Sequence, residues 1–498
     1  MVPKTSFVTT CAGVGALAAL GVGLSRRRVK GSMPTRPSVV VGGRRLTRNL
    51  RLARLGARGG SRYALTQARK TFASAERKVE LDTEFQMRTA ADVTAELGNM
   101  KGAMMKLGQM ASYIDTGLPD HVRQTLASLQ ADAPPMSAEL AAETIERELG
   151  QPLDQLFLEW DPMPLASASI GQVHRAITFD ERAVAVKVQY PGVAEAVGSD
   201  LQNADLIFGA LASLFPGLEA GPVVQELKDR LFEELDYENE ARNQRYYADF
   251  FDRHPFIHVP HVIDHLSTAR VLTTDLAVGS SFDELLTWSQ EEKNLAAETI
   301  FRFSFGSIYR LHAFNGDPHP GNYLFNPGGR VTFLDFGLVK RFKPSETQLF
   351  EDLIRAMVLD RDGPRFRRIV EDASLLAKDA PFSDAEVEEY FRFYYRYVMT
   401  DEPVTIDRDY ASGGVAQLFD TSGEQGGLTK ELNVPPSFVI LQRITLGLMG
   451  ILANLEATRN WRLIAEELWP FAAGPPSTPT GEVIEAWRRT RGQTRMGL

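Results

Sequence analysis

Residues 315–340 read NGDPHPGNYLFNPGGRVTFLDFGLVK. Asp317 stands five positions before Asn322, and Asp335-Phe336-Gly337 closes the apolar run that starts at Arg330. One loop thus offers a carboxylate and an amide oxygen, and the end of the following strand offers a second carboxylate. Hard oxygen donors converging from two sides suit a divalent cation that also carries phosphate. Phosphoryl transfer asks little covalent chemistry of a protein: phosphates held, magnesium held, a nucleophile oriented. In that scheme Asp317 orients the attacking group, Asn322 and Asp335 hold Mg²⁺, and Gly337 frees the backbone beside Asp335.

Upstream, Lys187 sits in VAVKV (184–188), and a lysine on an apolar strand can reach phosphate oxygens. A glutamate on a nearby helix would hold it, and Glu234, Glu238 and Glu240 lie in the helical-looking stretch 223–250. Taken alone, a D-F-G is as well explained by a surface acid, and a lysine between valines by a snorkelling side chain. The ordered set of Lys187, acidic helix, Asp317…Asn322 and Asp335-Phe336-Gly337 is far more specific. It predicts an α+β, two-lobed protein-kinase-like fold with an N-terminal helical extension and a mostly helical C-lobe. Where a protein kinase would carry G-x-G-x-x-G, residues 166–174 read ASASIGQVH. Alanine does not enter positive φ as glycine does, so this loop is expected to be stiffer. Its backbone amides and Ser169 remain suited to phosphate.

Together these features resemble the UbiB/AarF/ADCK-type atypical kinases. The alanine-rich loop of that family is matched by ASASIGQVH, K-x-G-Q by Lys106-Leu107-Gly108-Gln109, and E-x-D by Glu234-Leu235-Asp236. D-P-H-P-G-N is matched at 317–322 and D-F-G at 335–337, and the resemblance runs from about residue 85 to the C-terminal helices. The resemblance implies ATP (or ADP) and Mg²⁺ as cofactors and a role in isoprenoid quinone or lipid metabolism. It implies that Lys106 and Gln109, with Glu234 and Asp236, gate the site where a protein substrate would otherwise dock. That disfavours phosphorylation of other proteins and favours ATP hydrolysis or transfer to a small or lipid acceptor. The nucleotide-binding candidates are Ala166, Ser167, Ala168, Ser169, Gln172, Lys187, Glu240 and Asp275. The catalytic candidates are Asp317 and Lys187, and by the same resemblance Glu240 is the preferred partner of Lys187. Two departures stand out. Ser167 occupies a position where the family usually has Ala. Phe314-Asn315-Gly316-Asp317 replaces F-H-A-D, which removes a His that supports the loop. His174, His312 and His319 are read as structural rather than as general bases.

The bulk of the chain sets the surroundings. Its 498 residues include one cysteine, Cys11, which excludes an intrachain disulfide. The net charge of −9 hides an asymmetry: no Asp or Glu precedes Glu76, while the same stretch carries 15 Lys and Arg, leaving −24 on the rest. Arg44, Arg48, Arg51, Arg54, Arg58 and Arg62 recur at helical steps and form one basic stripe, which suits an anionic membrane surface. Nucleic acid is disfavoured, because no aromatic interleaving or reader motif accompanies the stripe. Phe7–Leu24 is apolar and uncharged, and Arg26–Arg28 follows it. It reads as a weak anchor, a signal peptide, or sequence ahead of a start at Met33. The expected location is the cytoplasmic face of a membrane, peripheral or weakly anchored. The expected organisation is an apolar segment (1–32), a basic amphipathic region (33–84), a helical extension (85–160), an N-lobe (161–280) and a helical C-lobe (281–498). Within these, 164–178 and 182–190 read as a hairpin, 322–326 and 330–337 as another, and 435–455 as a buried helix rather than a membrane span.

Overall fold

The computed structural model describes residues 136–167, 170–194, 235–378, 380–411, 428, 431–433 and 436–492, with the backbone alone at 436–440 and 443. The apolar segment, the basic stripe, Lys106, Gln109, Ala168, Ser169 and Glu234 lie outside the described residues.

Helix α1 (Ala138–Leu149) starts where the Ser137 hydroxyl accepts the Leu140 N–H and stops at Gly150, which takes φ 73°. A hydroxyl cap and a left-handed glycine satisfy backbone groups that the helix ends leave over. The helix lays Ala141 and Ile145 on an antiparallel sheet. Its strands are β1 (Glu159–Ser167), β2 (Gly171–Ile177), β3 (Ala183–Gln189) and β5 (Val271–Asp275), in that spatial order. Val184, Val186 and Val188 are fully buried in this core. Strand alternation then puts Ala185 and Lys187 on the opposite face. The run 164–178, expected as one strand of a hairpin, is divided between β1 and β2. Strand β1 also starts at Glu159, inside the stretch expected to be helical. The reason is local: Pro162 and Pro164 have no amide proton to give a helix, and the β1–β2 register shifts beside them.

Helix α2 (Tyr237–Phe250) follows, capped by Asp236, whose carboxylate accepts the Asn239 N–H. The short strand β4 (Ile257–His258) leads back to β5 and pairs parallel with the later strand Arg330–Phe333. The second layer is built on α3 (Gln290–Arg310), a long and largely buried helix. Behind it come β6 (Ala313–Asn315), β7 (Tyr323–Asn326), β8 (Arg330–Phe333) and β9 (Val339–Arg341). Strands β7 and β8 form the expected hairpin, turned by Gly328 and Gly329, both at positive φ. Strands β6 and β9 pair antiparallel. Helices α4 (Pro344–Ile354), α5 (Gly363–Asp372), α6 (Asp384–Tyr395), α7 (Pro436–Asn454), α8 (Trp461–Leu468) and α9 (Pro479–Thr490) complete it, with the two-stranded pair β10 (Val404–Ile406) and β11 (Ala457–Arg459).

One aromatic core joins these elements, with Phe303 stacked on Phe333 at 3.6 Å and Phe336 set 5.0 Å from Tyr247 of α2. Helix α7 contributes Leu448 and Leu452 to it, as a buried helix should. Among the described residues, no helix is long and apolar enough to cross a membrane. Inside the core Arg302 bridges Glu298 at 2.9 Å and Glu467 at 2.8 Å, fastening α3 to α8. The architecture is an α+β, protein-kinase-like fold.

Candidate active site

Four elements position the chemistry: β3, α2, the loop after β6, and the end of β8. Lys187 leaves β3 on the face turned away from α1, and its ammonium meets both Glu240 oxygens, at 2.8 and 2.9 Å. Of the three glutamates considered, Glu240 alone makes this contact among the described residues. Glu238, two positions earlier on α2, is exposed, and Glu234 is not described. Tyr237, one helical turn before Glu240, puts its ring 4.9 Å beneath the same ammonium. Burial works against a charged lysine, but the carboxylates of Glu240 and Asp335, with the Tyr237 side chain beside them, outweigh it and hold Lys187 protonated well above the ordinary lysine range. Asp335 is thus within electrostatic reach of Lys187.

Asp335 ends the β8 run because Phe336 drops into the aromatic core and Gly337 turns the chain. The Gly337 amide donates to Asp335 Oδ1 at 2.9 Å. A Cβ on Gly337 would lie 3.3 Å from that oxygen, tight enough to press on Asp335, and 3.8 Å from Glu240 Oε2, an ordinary contact. Asn243 of α2 donates to the Phe336 carbonyl at 3.1 Å, which ties α2 to this turn a second time.

The loop after β6 is folded on itself. Asn322 Nδ2 donates to the Asp317 carbonyl at 3.1 Å and to Asp317 Oδ2 at 3.4 Å, so the five-residue spacing returns the amide to the acid. The Leu334 amide donates to the Asn322 carbonyl at 3.0 Å and joins this loop to the end of β8. His319 Nδ1 accepts the Gly321 N–H at 3.0 Å and shapes the tight turn between them. Asp317, Asn322 and Asp335 are therefore held on one contiguous piece of backbone.

The donor set fits magnesium. Among the described residues, no three His, Cys, Asp or Glu side chains are grouped to hold a metal. Mg²⁺ rarely asks for such a group; it binds through one or two carboxylates, waters and substrate phosphates. Asp335 and the Asn322 amide oxygen would supply the protein share, with Lys187 left to counter phosphate charge.

The other described sequence-based candidates divide between this face and other places. Ala166 lies in one cross-strand row with Val173, Lys187 and Leu272, and so belongs to the Lys187 face. Gln172 has the other parity. Its side chain is fully buried on the α1 face, accepts the Met136 N–H at 2.9 Å and meets His174 Nε2 at 2.8 Å. It is a tie between the sheet and the chain entering α1, not a phosphate ligand. Asp275 sits opposite Val184, again with the wrong parity, and is paired with Arg182 at 2.7 Å. Asp236 caps α2 and is exposed. Ser167 lies exposed at the end of β1. His174 is buried, stacks on Trp160 and has its Nδ1 2.9 Å from the Asp161 carbonyl, a structural place.

Sequence reasoning assigned no role to Gly171, Tyr237 or Asn315. A Cβ on Gly171 would lie 2.2 Å from the Val188 carbonyl, so only glycine lets β2 cross β3 there. Its place in the alanine-rich loop could have marked it. The signal for Tyr237 was its three-residue spacing from Glu240. For Asn315 the signal was its position in the altered F-N-G-D run.

Comparison with known proteins follows the same line. Residues 128–369 match the family model described as ABC1 atypical kinase-like domain. The chain is 32% identical over 303 residues to the mitochondrial atypical kinase COQ8B of Rattus norvegicus, covering 60% of this chain and 57% of that one. It is 31% identical over 274 residues to the mitochondrial atypical kinase COQ8 of Saccharomyces cerevisiae, covering 54% and 55%. The chain thus spans little more than half the length of these curated relatives. The solved Rv3197–erythromycin complex from Mycobacterium tuberculosis aligns with a TM-score of 0.58 at 31% identity, over 80% of this chain and all of the other.

Proposed function

Because the chain belongs to the UbiB/AarF/ADCK-type atypical kinase family, we propose that it is a Mg–ATP-dependent atypical kinase or ATPase that acts at a membrane in isoprenoid quinone or lipid metabolism. One observation carries the reading. The Lys187–Glu240 pair lies beside Asp335, whose backbone segment is stitched to the Asp317–Asn322 loop. Lys187, held charged by Glu240, would bind the nucleotide phosphates. Asp335 and Asn322 would hold Mg²⁺, which when bound neutralises charge on the transferred phosphoryl group. Asp317 would orient water or an acceptor hydroxyl, and Ala166 with the rest of the alanine-rich loop would cover the phosphates. Lys106, Gln109, Glu234 and Asp236 are proposed, on the family resemblance, to keep protein substrates out. The basic, apolar head supports a place on an anionic membrane surface.

The test is the magnesium dependence of nucleotide binding. Asp335→Asn keeps the shape of the side chain and removes the charge that a hard cation needs. It is expected to weaken Mg–ADP binding by at least about tenfold while leaving the melting temperature close to that of the parent. An unchanged Mg²⁺ titration in this variant would remove the metal assignment.

A further inference from the structure

Strand β6 ends at Asn315, and its side-chain amide faces two ways. Nδ2 donates to the Asp335 carbonyl at 2.8 Å, and Oδ1 accepts the Asp317 N–H at 3.2 Å. These are the backbone groups of the two acids on which the proposed function rests. Around the bridge, Asn315 pairs with Val339 of β9, and the Gly316 amide donates to the Leu338 carbonyl at 2.7 Å. A Cβ on Gly316 would lie 2.7 Å from Leu338 Cγ, so this glycine lets the two segments approach more closely than a larger residue would. An asparagine is shorter than a histidine, and the close approach is what lets so short a side chain span the gap. Unlike imidazole, the carboxamide carries its donor and its acceptor at every working pH. We propose that Asn315 is a positioning residue that sets the distance between Asp317 and Asp335, acting together with Gly316. The inference deepens the proposed function and rests on it.

The experiment titrates Mg²⁺ against binding of a fluorescent ADP analogue to the full chain, for the parent, Asn315→Ala, Asn315→Asp, Asn315→His and Asp335→Asn. Asn315→Ala is expected to raise the Mg²⁺ requirement about tenfold, as loss of groups that orient metal ligands does. Magnesium-free ADP affinity should stay at the parent value, because the Asn315 amide is engaged with the backbones of Asp335 and Asp317, while Lys187 is held by the Glu240 carboxylate. Asn315→Asp preserves volume but cannot donate to the Asp335 carbonyl, and should resemble Asn315→Ala. Asn315→His restores a donor and an acceptor and should recover part of the loss. Parent-like Mg²⁺ dependence in Asn315→Ala, with Asp335→Asn impaired, overturns the inference alone. So does a matching fall of magnesium-free and magnesium-dependent affinity that histidine fails to rescue, since that marks a mere fold support. Parent-like behaviour of Asp335→Asn overturns the metal reading itself, and the inference with it.

Discussion

Lys187 and Glu240 are 53 positions apart in the chain and share two hydrogen bonds under 3 Å. The glutamate is almost fully buried and the lysine largely so, so water replaces a lost partner only poorly. Breaking such a pair on one side leaves an uncompensated charge, and Glu240→Gln is expected to lower stability by about 3 kcal/mol. Chemical denaturation reads that directly, and a change below about 0.5 kcal/mol would mean that Asp335 alone suffices to hold the lysine. At this scale the sequence was legible where identity decides the role. Residue type and spacing put forward Lys187, Asp317, Asn322 and Asp335 and left Glu234, Glu238 and Glu240 open; the family resemblance favoured Glu240, which pairs with Lys187 in the structure. The sequence misled where parity decides. Gln172 and Asp275 belong to strands whose other positions face the site, and a one-residue difference sends a strand side chain to the opposite face. Asn315 was noticed only as a missing histidine, because a single sequence does not show that an amide can bridge the same two backbones.

Helix α2 links the residues to the fold, since it carries Tyr237, Glu240 and Asn243 on one side and ends against α9. Arg491, just past α9, donates to the Asp252 and Asp249 carbonyls at 2.9 and 3.2 Å, and Trp487 packs its ring 4.6 Å from His254. Cationic groups at the end of α2 satisfy carbonyls that the helix leaves over and oppose its dipole. His254 Nδ1 accepts the Phe256 and Ile257 N–H groups, which requires an unprotonated nitrogen. Burial, then Arg488 and Arg302, push its pKa down to about 3. The unfolded chain binds this proton near pH 6.5 and the fold does not, so the contribution is complete above about pH 6.5 and falls as pH drops toward 3. His254→Asn, whose side-chain oxygen can accept the same amides without titrating, is expected to flatten the loss of stability across that window. Parallel pH–stability curves for parent and variant would contradict this. Element boundaries were only partly legible. The ends of α1 are set by Ser137 and Gly150, residue types whose capping is local chemistry. The extra strand β1 was not legible, since Pro162 and Pro164 interrupt the alternation by which a strand is recognised.

Across the whole molecule, a basic, apolar head precedes an acidic body, and the described body is a kinase-like fold in which Asn315 joins the backbones of Asp317 and Asp335. The fold class was legible because an ordered set of motifs constrains topology more tightly than any one of them. The acceptor was not, because loops that hold phosphate and magnesium address the nucleotide and carry no signature of the group that receives the phosphoryl. The central claim is that this arrangement turns over Mg–ATP at a membrane. The most direct measurement is ATP hydrolysis by the full chain and by Asp317→Asn, with and without vesicles rich in anionic lipid. The account predicts turnover that requires Asp317, falling at least about a hundredfold in the variant, and that rises with vesicles. Mg-dependent nucleotide binding with equal, background-level hydrolysis in both proteins would contradict it and leave a nucleotide-binding scaffold in its place.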